Sequence, residues 1–376
     1  MRFGIIGLGL MGREFGSAAA RWCHLLDNGP VPVITAVCDK NIDAVSWFTD
    51  NFNTIDLVTN DYTELLASEE VDAVYCAVPH NLHREMYINI LRAGKHLLAE
   101  KPFGIDADAN RAILEEVARQ PQLIVRCSSE FPYFPGAQRM IKWITEKRYG
   151  RIMEVVAGFH HSSDMNLEKP LNWKRMIDVC GEYGVMGDLG MHTQHIPFRF
   201  GWFPGTVYAD LLNIAETRPD GKGRTVPCET WDNARLICRS IDPATSKEFS
   251  LTFETKRMAP GQTNTWFLEI YGTKGSAKFS TRDPKAFFTL DTTGSEQGWT
   301  RTDIGAQSAV PSITGGIFEF GFSDAFQQML AAYMSEFDNH RDSRPFGMVT
   351  PEETALSHRL LSAGLESQKT GSSITP

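Results

Sequence analysis

The chain of 376 residues has no apolar run of the roughly 20 residues that a bilayer-spanning helix needs, so no membrane partner is expected. It has no surplus of basic residues. Its 37 Lys and Arg face 46 Asp and Glu, a net charge of −9, which excludes a general nucleic-acid binder. Cysteines are few, seven in all, at positions 23, 38, 76, 127, 180, 228 and 238, and none forms C-x-x-C. That excludes a zinc ribbon and a disulfide framework, and free thiols point to a reducing cytoplasm. No basic stretch precedes an apolar core at the N-terminus, so no export signal is expected. Internal repeats are absent. What remains, 42% hydrophobic and 22% charged residues, is the composition of a soluble globular protein long enough for two domains.

What the chain does have is Gly7-Leu8-Gly9-Leu10-Met11-Gly12, directly after the apolar run Phe3 to Ile6. A strand ending in G-x-G-x-x-G and opening into a helix builds a pyrophosphate site. The first glycine permits the sharp turn, the second lets backbone approach the phosphates, and the third lets helix and strand pack closely. The free N–H groups at the helix start suit an anion. Methyltransferases use similar turns. Here Val33 to Cys38 reads as a second buried strand, and it ends at Asp39, whose carboxylate suits the two hydroxyls of an adenine ribose. Asp39 favours NAD, because a 2′-phosphate would face its charge. Lys40, next to it, leaves NADP possible. The connection across Asp27 to Pro32 reads as an extended loop.

Strand and helix alternate through the first third. Val71 to Val78, His96 to Ala99 and Leu123 to Val125 read as strands. Asp61 to Leu66, Leu82 to Ala93 and Ala107 to Gln120 read as helices. After about residue 150 the pattern becomes a series of strands: Arg151 to Phe159, Thr206 to Ile214, Asp232 to Arg239, Phe249 to Glu254 and Trp266 to Tyr271, with a hairpin at Gly272 to Gly275. The fold expected is an α/β Rossmann domain with a doubly wound parallel sheet, residues 1–125. An α+β C-terminal domain with a large, mostly antiparallel open sheet follows, residues 126–376. Two helices close the chain. One carries a core stripe of Phe322, Phe326, Met329, Leu330, Tyr333 and Phe337, and the other opens on the capping box Thr350-Pro351-Glu352-Glu353. The C-terminal helix is expected to pack back near the first domain. Residues 292–316 read as a mobile loop. An open sheet with one exposed face suggests a homodimer or homotetramer.

Ligands of an open parallel sheet bind at the carboxyl ends of its strands. The glycine turn, Asp39, Val78-Pro79-His80-Asn81-Leu82-His83 and Glu100-Lys101-Pro102 all fall there. An ammonium at Lys101 near a nicotinamide would stabilise a developing alkoxide. A solvated surface lysine fits the spacing equally well. In Gly184 to His192, Asp188 and His192 are four apart and share a helix face, the arrangement by which a carboxylate orients an imidazole base. A helix-capping aspartate with a core histidine gives the same spacing. Third and fourth ligands at useful spacing are missing, so no metal is expected. Between these clusters, Glu130, Tyr133, His160, His161, Lys169, Trp173, Lys174 and Arg175 are candidates to touch substrate, Trp173 offering an aromatic face to a sugar ring.

Taken together, the chain resembles the Gfo/Idh/MocA oxidoreductase family, the group of glucose–fructose oxidoreductase and inositol dehydrogenase. Val78 to His83 resembles its T-P-N-x-x-H element, Glu100-Lys101-Pro102 its E-K-P motif, Gly184 to His192 its G-x-x-x-D-x-G-x-H element, and Ile270 to Gly275 its sheet hairpin. The resemblance implies a catalytic trio of Lys101, Asp188 and His192. It implies a cofactor set of Gly7, Leu8, Gly9, Leu10, Met11, Gly12, Asp39, Lys40, Val78, Pro79, Asn81, His83, Glu100 and Lys101. The substrate would be a carbohydrate, polyol or cyclitol, with Glu130, His160, Trp173, Arg175 and His195 as contacts. Val78 replaces the family's threonine, His80 stands where asparagine is usual, and His195 takes the place of a frequent second aspartate. Pro197 is expected to kink or end its helix. The reaction implied is reversible oxidation of a secondary alcohol. Two other readings stay open: a glycosidase working through transient oxidation, and a regulator that binds dinucleotide without catalysis.

Overall fold

The computed structural model describes residues 1–26, 29–305, 309–315, 318–337 and 346–376. Asp27 and Asn28 of the expected first loop lie outside the described residues, as do 306–308 and 316 of the segment read as mobile. The rest of that segment is not all loop, since it contains a strand at Thr300–Asp303. The described residues form two compact units. The first is Met1–Gly104, Asp108–Tyr133 and Gln307–Thr354; the second is Ile105–Ala107, Phe134–Ala306 and Ala355–Pro376.

In chain order the first elements are β1 (Arg2–Ile6), α1 (Leu10–Ala20), β2 (Val33–Cys38), α2 (Ser46–Asn51), β3 (Leu57–Thr59), α3 (Tyr62–Ala67), β4 (Ala73–Cys76), α4 (His83–Arg92), β5 (His96–Ala99), α5 (Ala107–Arg119) and β6 (Val125–Cys127). The six strands form one sheet in the order β3-β2-β1-β4-β5-β6, and every pairing is parallel. The strand direction of travel reverses between β1 and β4, the place where a doubly wound sheet opens a crevice at its carboxyl edge. Phe3, Ile5, Val74, Tyr75, Leu97 and Leu98 are fully buried, which is why these strands read as continuous apolar runs rather than alternating ones. Asp61 caps α3 by accepting the Thr63 N–H, and Gly94 follows α4 at φ +73°. β6 begins two residues later than the sequence suggests, and the short β3 carries no sequence signal of its own.

Then come α6 (Pro135–Thr145), β7 (Ile152–His160), α7 (Ile177–Cys180), α8 (Val185–Arg199), β8 (Pro204–Leu212), β9 (Thr217–Pro219), β10 (Thr225–Pro227), β11 (Asn233–Asp242), β12 (Lys247–Lys256), β13 (Thr265–Gly272), β14 (Gly275–Ser280), β15 (Ala286–Asp291), β16 (Thr300–Asp303), α9 (Phe322–Ser335) and α10 (Pro351–Thr370). An eight-stranded sheet runs β16-β15-β14-β13-β7-β12-β11-β8. All neighbours are antiparallel except β7 and β12. α8 packs on one face, against β7, β11, β12 and β13. On the other face β11 alternates strictly, leaving Ile237 and Ile241 exposed, and Tyr208 and Leu212 are exposed on the neighbouring β8.

Of the two closing helices, α9 belongs to the first unit, its Phe326, Met329, Leu330 and Tyr333 fully buried in one cluster with Phe3, Phe15 and Tyr75. Most of α10 belongs to the second unit, where Gly364 lies against Leu236 and Ala209. The capping box at its start is present: the Thr350 N–H donates to Glu353 Oε2 at 2.9 Å and the Glu353 N–H to Thr350 Oγ1 at 3.4 Å. Pro197 does not end α8, which continues to Arg199. Near a helix end the missing N–H removes only one ladder bond.

Candidate active site

In the first unit the strand ends assemble the expected groups. Gly7 takes φ +95°, and a Cβ there would lie 2.3 Å from the Ala77 carbonyl oxygen. A Cβ on Gly12 would lie 2.3 Å from the Gly7 oxygen. Both glycines are therefore required by the turn itself. Gly9 is different. Its φ is −71°, open to any residue, and a Cβ there would meet nothing within 4 Å. The turn gives no internal reason for glycine at 9, whereas a ligand lying against the backbone would. Leu10, beside it on the first turn of α1, is 75% exposed, and Met11 is half-buried. Asp39 closes the turn from β2: its Oδ2 accepts the Leu8 N–H at 2.7 Å and its Oδ1 the Asn41 N–H at 2.8 Å. Lys40 is exposed.

The ends of β4 and β5 are joined through His83. This ring is fully buried, with Nδ1 2.7 Å from the Pro102 carbonyl and Nε2 2.9 Å from the Val78 carbonyl. Each ring nitrogen faces a backbone carbonyl, one of which accepts the neutral ring's single N–H, so His83 lies between the Val78–Pro79 turn and the Lys101–Pro102 turn, whose peptide bond is cis. Burial pulls its pKa down to about 4, while the two carbonyls pull the other way. Glu100 is buried and accepts the Tyr75 hydroxyl at 2.7 Å, and Tyr87 donates to the Glu100 carbonyl at 2.7 Å. Lys101, half-buried, follows directly. Val78 and Pro79 are half-buried and Asn81 is exposed, which leaves them, with Lys101, as the open face of this edge. Glu130, just past β6, is buried. Burial, then the neighbouring Glu100 carboxylate, pushes its pKa up to about 8.

In the second unit α8 buries every residue from Val185 to Phe198, so Asp188 and His192 sit one turn apart inside the protein. The Phe159 and His192 rings are perpendicular with their centroids 5.4 Å apart, and the His192 carbonyl accepts the Trp266 indole N–H at 2.7 Å. Asp188 Oδ2 accepts from Lys174 Nζ at 2.9 Å and from Arg257 Nη2 at 3.0 Å. No spacing in the sequence joins 257 to 188; β12 delivers Arg257 from its end. Arg257 is nearly fully buried, and Asp188 raises its pKa further against the effect of burial.

Of the candidate substrate contacts, Trp173 is half-buried, its ring 5.7 Å from the Lys174 ammonium. Arg175 is fully buried and pairs with Asp164 and Asp232, so its guanidinium holds the fold together rather than facing a ligand. His160 Nε2 lies 3.2 Å from Glu254 Oε2, and with Lys256 and Arg235 it holds that carboxyl well below the usual range. His195 accepts from Arg199 at 3.3 Å; burial first and this cation second keep its pKa well below the ordinary value, so the ring is neutral. Lys169 pairs with Asp164 at 3.1 Å. Among the described residues no group of three or more His, Cys, Asp or Glu is arranged to hold a metal ion.

The model of the Gfo/Idh/MocA group, described as an oxidoreductase family with an NAD-binding Rossmann fold, matches residues 1–127. Levoglucosan dehydrogenase of Pseudarthrobacter phenanthrenivorans is 24% identical over 295 residues, 74% of this chain and 73% of that one. Residues 1–127 are those of the Gfo/Idh/MocA oxidoreductase family. The NADP(+)-dependent D-xylose 1-dehydrogenase of Hypocrea jecorina is a further relative, 28% identical over 253 residues, 63% of this chain and 60% of that one. A solved levoglucosan dehydrogenase in complex with NADH and levoglucosan has the same fold, with a TM-score of 0.86 at 22% identity over 100% of this chain and 99% of that one. The residues at the glycine turn fit the family's dinucleotide, since the open backbone at Gly9 and the carboxylate at Asp39 are what a pyrophosphate and an adenine ribose require. The model also covers the Glu100-Lys101-Pro102 turn, whereas Asp188 and His192 fall beyond its match.

Proposed function

We propose that this oxidoreductase reversibly oxidises a secondary alcohol of a sugar, polyol or cyclitol, with NAD preferred and NADP possible. The observation that carries the reading is the one-turn spacing of Asp188 and His192 inside a wholly buried helix, in a chain whose other unit carries Lys101 on the carboxyl edge of an NAD-binding sheet. His192 takes the hydroxyl proton as general base, and Asp188 orients it. Lys101 donates to the same substrate oxygen and stabilises the negative charge that develops there. The dinucleotide, when bound, supplies the hydride acceptor. Asp39 selects NAD through its charge. The named activities of the relatives, on levoglucosan and D-xylose, support a carbohydrate substrate.

We also propose a homodimer or homotetramer and a cytoplasmic location, the latter supported by seven free cysteines. Among the described residues no helix is long and apolar enough to cross a membrane. The test of the reaction is a panel of sugars and cyclitols with NAD and NADP, read by absorbance of the reduced cofactor. In Lys101→Ala, turnover should fall by about a hundredfold or more, the scale of one lost transition-state contact, with NADH affinity near the parental value. Parental turnover in that variant would refute the assignment.

A further inference from the structure

The start of α8 and the end of β12 hang from adjacent peptides. The Trp231 carbonyl accepts the Val185 N–H at 3.2 Å, and the Asp232 carbonyl accepts the Arg257 N–H at 2.9 Å. Gly184 permits the close approach, since at φ +54° a Cβ there would lie 2.7 Å from the Trp231 nitrogen. This register brings the Arg257 guanidinium to Asp188, in the first turn of α8. Nη2 lies 3.0 Å from Asp188 Oδ2, and Nη1 donates to the Lys174 carbonyl at 3.1 Å. The pair is buried, its side chains 2% and 3% exposed. Lys174 Nζ lies 2.9 Å from the same oxygen, but that side chain is 40% exposed. Asp188 thus meets one cation from the interior and one from the solvent side.

His192 lies one turn further along the same helix face. A carboxylate beside an imidazole favours the protonated ring, and a cation on that carboxylate opposes this. Water screens the charge on Lys174, whereas the charge on Arg257 acts through the interior. The other titratable groups on elements packed against α8 are uncharged or engaged with different partners. On α8 itself His195 is kept neutral by burial first and Arg199 second, and Arg199 donates to it. Arg175, from the turn before α7, pairs with Asp164 and Asp232, and burial pushes up the Cys180 thiol on α7. β11 carries Cys238, its thiol pushed up by burial, and Asp242, which accepts the Ala244 N–H and the Thr245 hydroxyl. His160 follows Phe159 on β7, so it points to the opposite face of the sheet, where it meets Glu254. On α10 the His358 ring lies 5.6 Å from that of Tyr183.

We infer that Arg257 is a positioning residue for the reaction: it fixes the Asp188 carboxylate and offsets its charge, so that His192 stays a neutral base ready to take the hydroxyl proton. Its action runs through Asp188 and not through contact with substrate. The planar guanidinium suits the task, because it binds the Asp188 oxygen and the Lys174 carbonyl at once while carrying a charge that does not titrate. This rests on the dehydrogenase reading above and adds a residue to it.

The test uses the full-length enzyme and the sugar or cyclitol that it turns over fastest. Arg257→Gln removes the charge and keeps an amide donor; Arg257→Lys keeps the charge and gives up the planar fork. kcat/KM is followed over about pH 5 to 9, where activity rises as the base loses its proton. With the cation gone the imidazolium is favoured, so in Arg257→Gln this limb should move to higher pH by about 1 unit. The plateau kcat should fall about tenfold with KM near the parental value, because substrate is not touched. Arg257→Lys should return the limb to its parental place. A merely structural role lowers activity by one factor at every pH; an unmoved limb, or one moved to lower pH, overturns the proposal. If no sugar or cyclitol yields NADH, the dehydrogenase reading fails separately, and NMR of ring-labelled histidine decides. The His192 signal, assigned by its loss in His192→Asn, should reach its protonation midpoint about 1 unit higher in Arg257→Gln than in the parent, and equal midpoints overturn the proposal. If Arg257→Gln does not fold, Lys174→Met strips the exposed cation from the same oxygen. An upward shift at low salt that added salt erases then supports the offset, and no shift at low salt overturns it.

Discussion

Glu130 and Glu100 follow the adjacent strands β6 and β5 and are both buried. The Glu130 carboxyl is pushed up, to about 8, by burial first and the neighbouring Glu100 carboxylate second. The unfolded chain loses this proton near the ordinary value of 4.5, and the folded chain holds it to about 8. Between those values the folded state binds more protons, so stability declines as pH rises, by up to about 1.4 kcal/mol per pH unit. Glu130→Gln should flatten that decline between pH 5 and 8, as read by urea denaturation at several pH values. Parallel curves for the two proteins would show that Glu130 carries no such shift. At this scale the sequence revealed what spacing encodes and little else. Asp188 and His192 are legible because a helix brings residues four apart onto one face. Arg257 and Asp232 are not, because only the sheet brings them near Asp188 and Arg175. Arg175 looked available in the sequence, and its burial follows from carboxylates 11 and 57 residues away.

The glycine turn behaves as an element in which three similar residues do unlike work. Gly12→Ala drives a Cβ to 2.3 Å from the Gly7 oxygen, so α1 or the turn must shift, and the variant should lose stability of the order of 1–3 kcal/mol. Gly9→Ala meets no atom and needs no unusual φ, so it should melt with the parent yet bind NADH at least about tenfold more weakly. Unchanged affinity in Gly9→Ala would mean that no ligand approaches this backbone. Elements with a strong period were readable: β5, α5, the paired β11 and β12, and the stripe on α9. α6 has no counterpart in the sequence reading; its Pro135-Gly136 start is a weak helix signal, although Pro135 stands at the first helical position. β16 was missed because Thr300 to Asp303 is polar on both faces and takes its place at the sheet edge by pairing with β15.

For the whole molecule, the exposed face of the eight-stranded sheet is the feature that most needs a partner. Ile237 pairs across the ladder with Tyr208, and with Ile241 and Leu212 they leave large apolar side chains 44–59% exposed on adjacent strands. If a second copy covers them, Ile237→Lys should lower the mass seen by light scattering while the circular dichroism spectrum is kept. An unaltered mass would place the interface elsewhere. The fold class was legible throughout, because alternating strands and helices give way near residue 150 to strands alone. The discontinuous units were not, because a stripe at helical spacing tells which face is buried and not what buries it.

α9 belongs with the first unit, yet roughly 190 residues separate its start at Phe322 from the end of β6 at Cys127. At about 5–20 residues per second of translation, that interval lasts on the order of 10–40 s. Throughout it the side chains of Phe3, Phe15 and Tyr75 lack the helix that shields them in the finished protein. While the second unit is being made, the nascent chain thus carries a sticky, half-finished surface, and the length of the intervening segment sets how long that lasts.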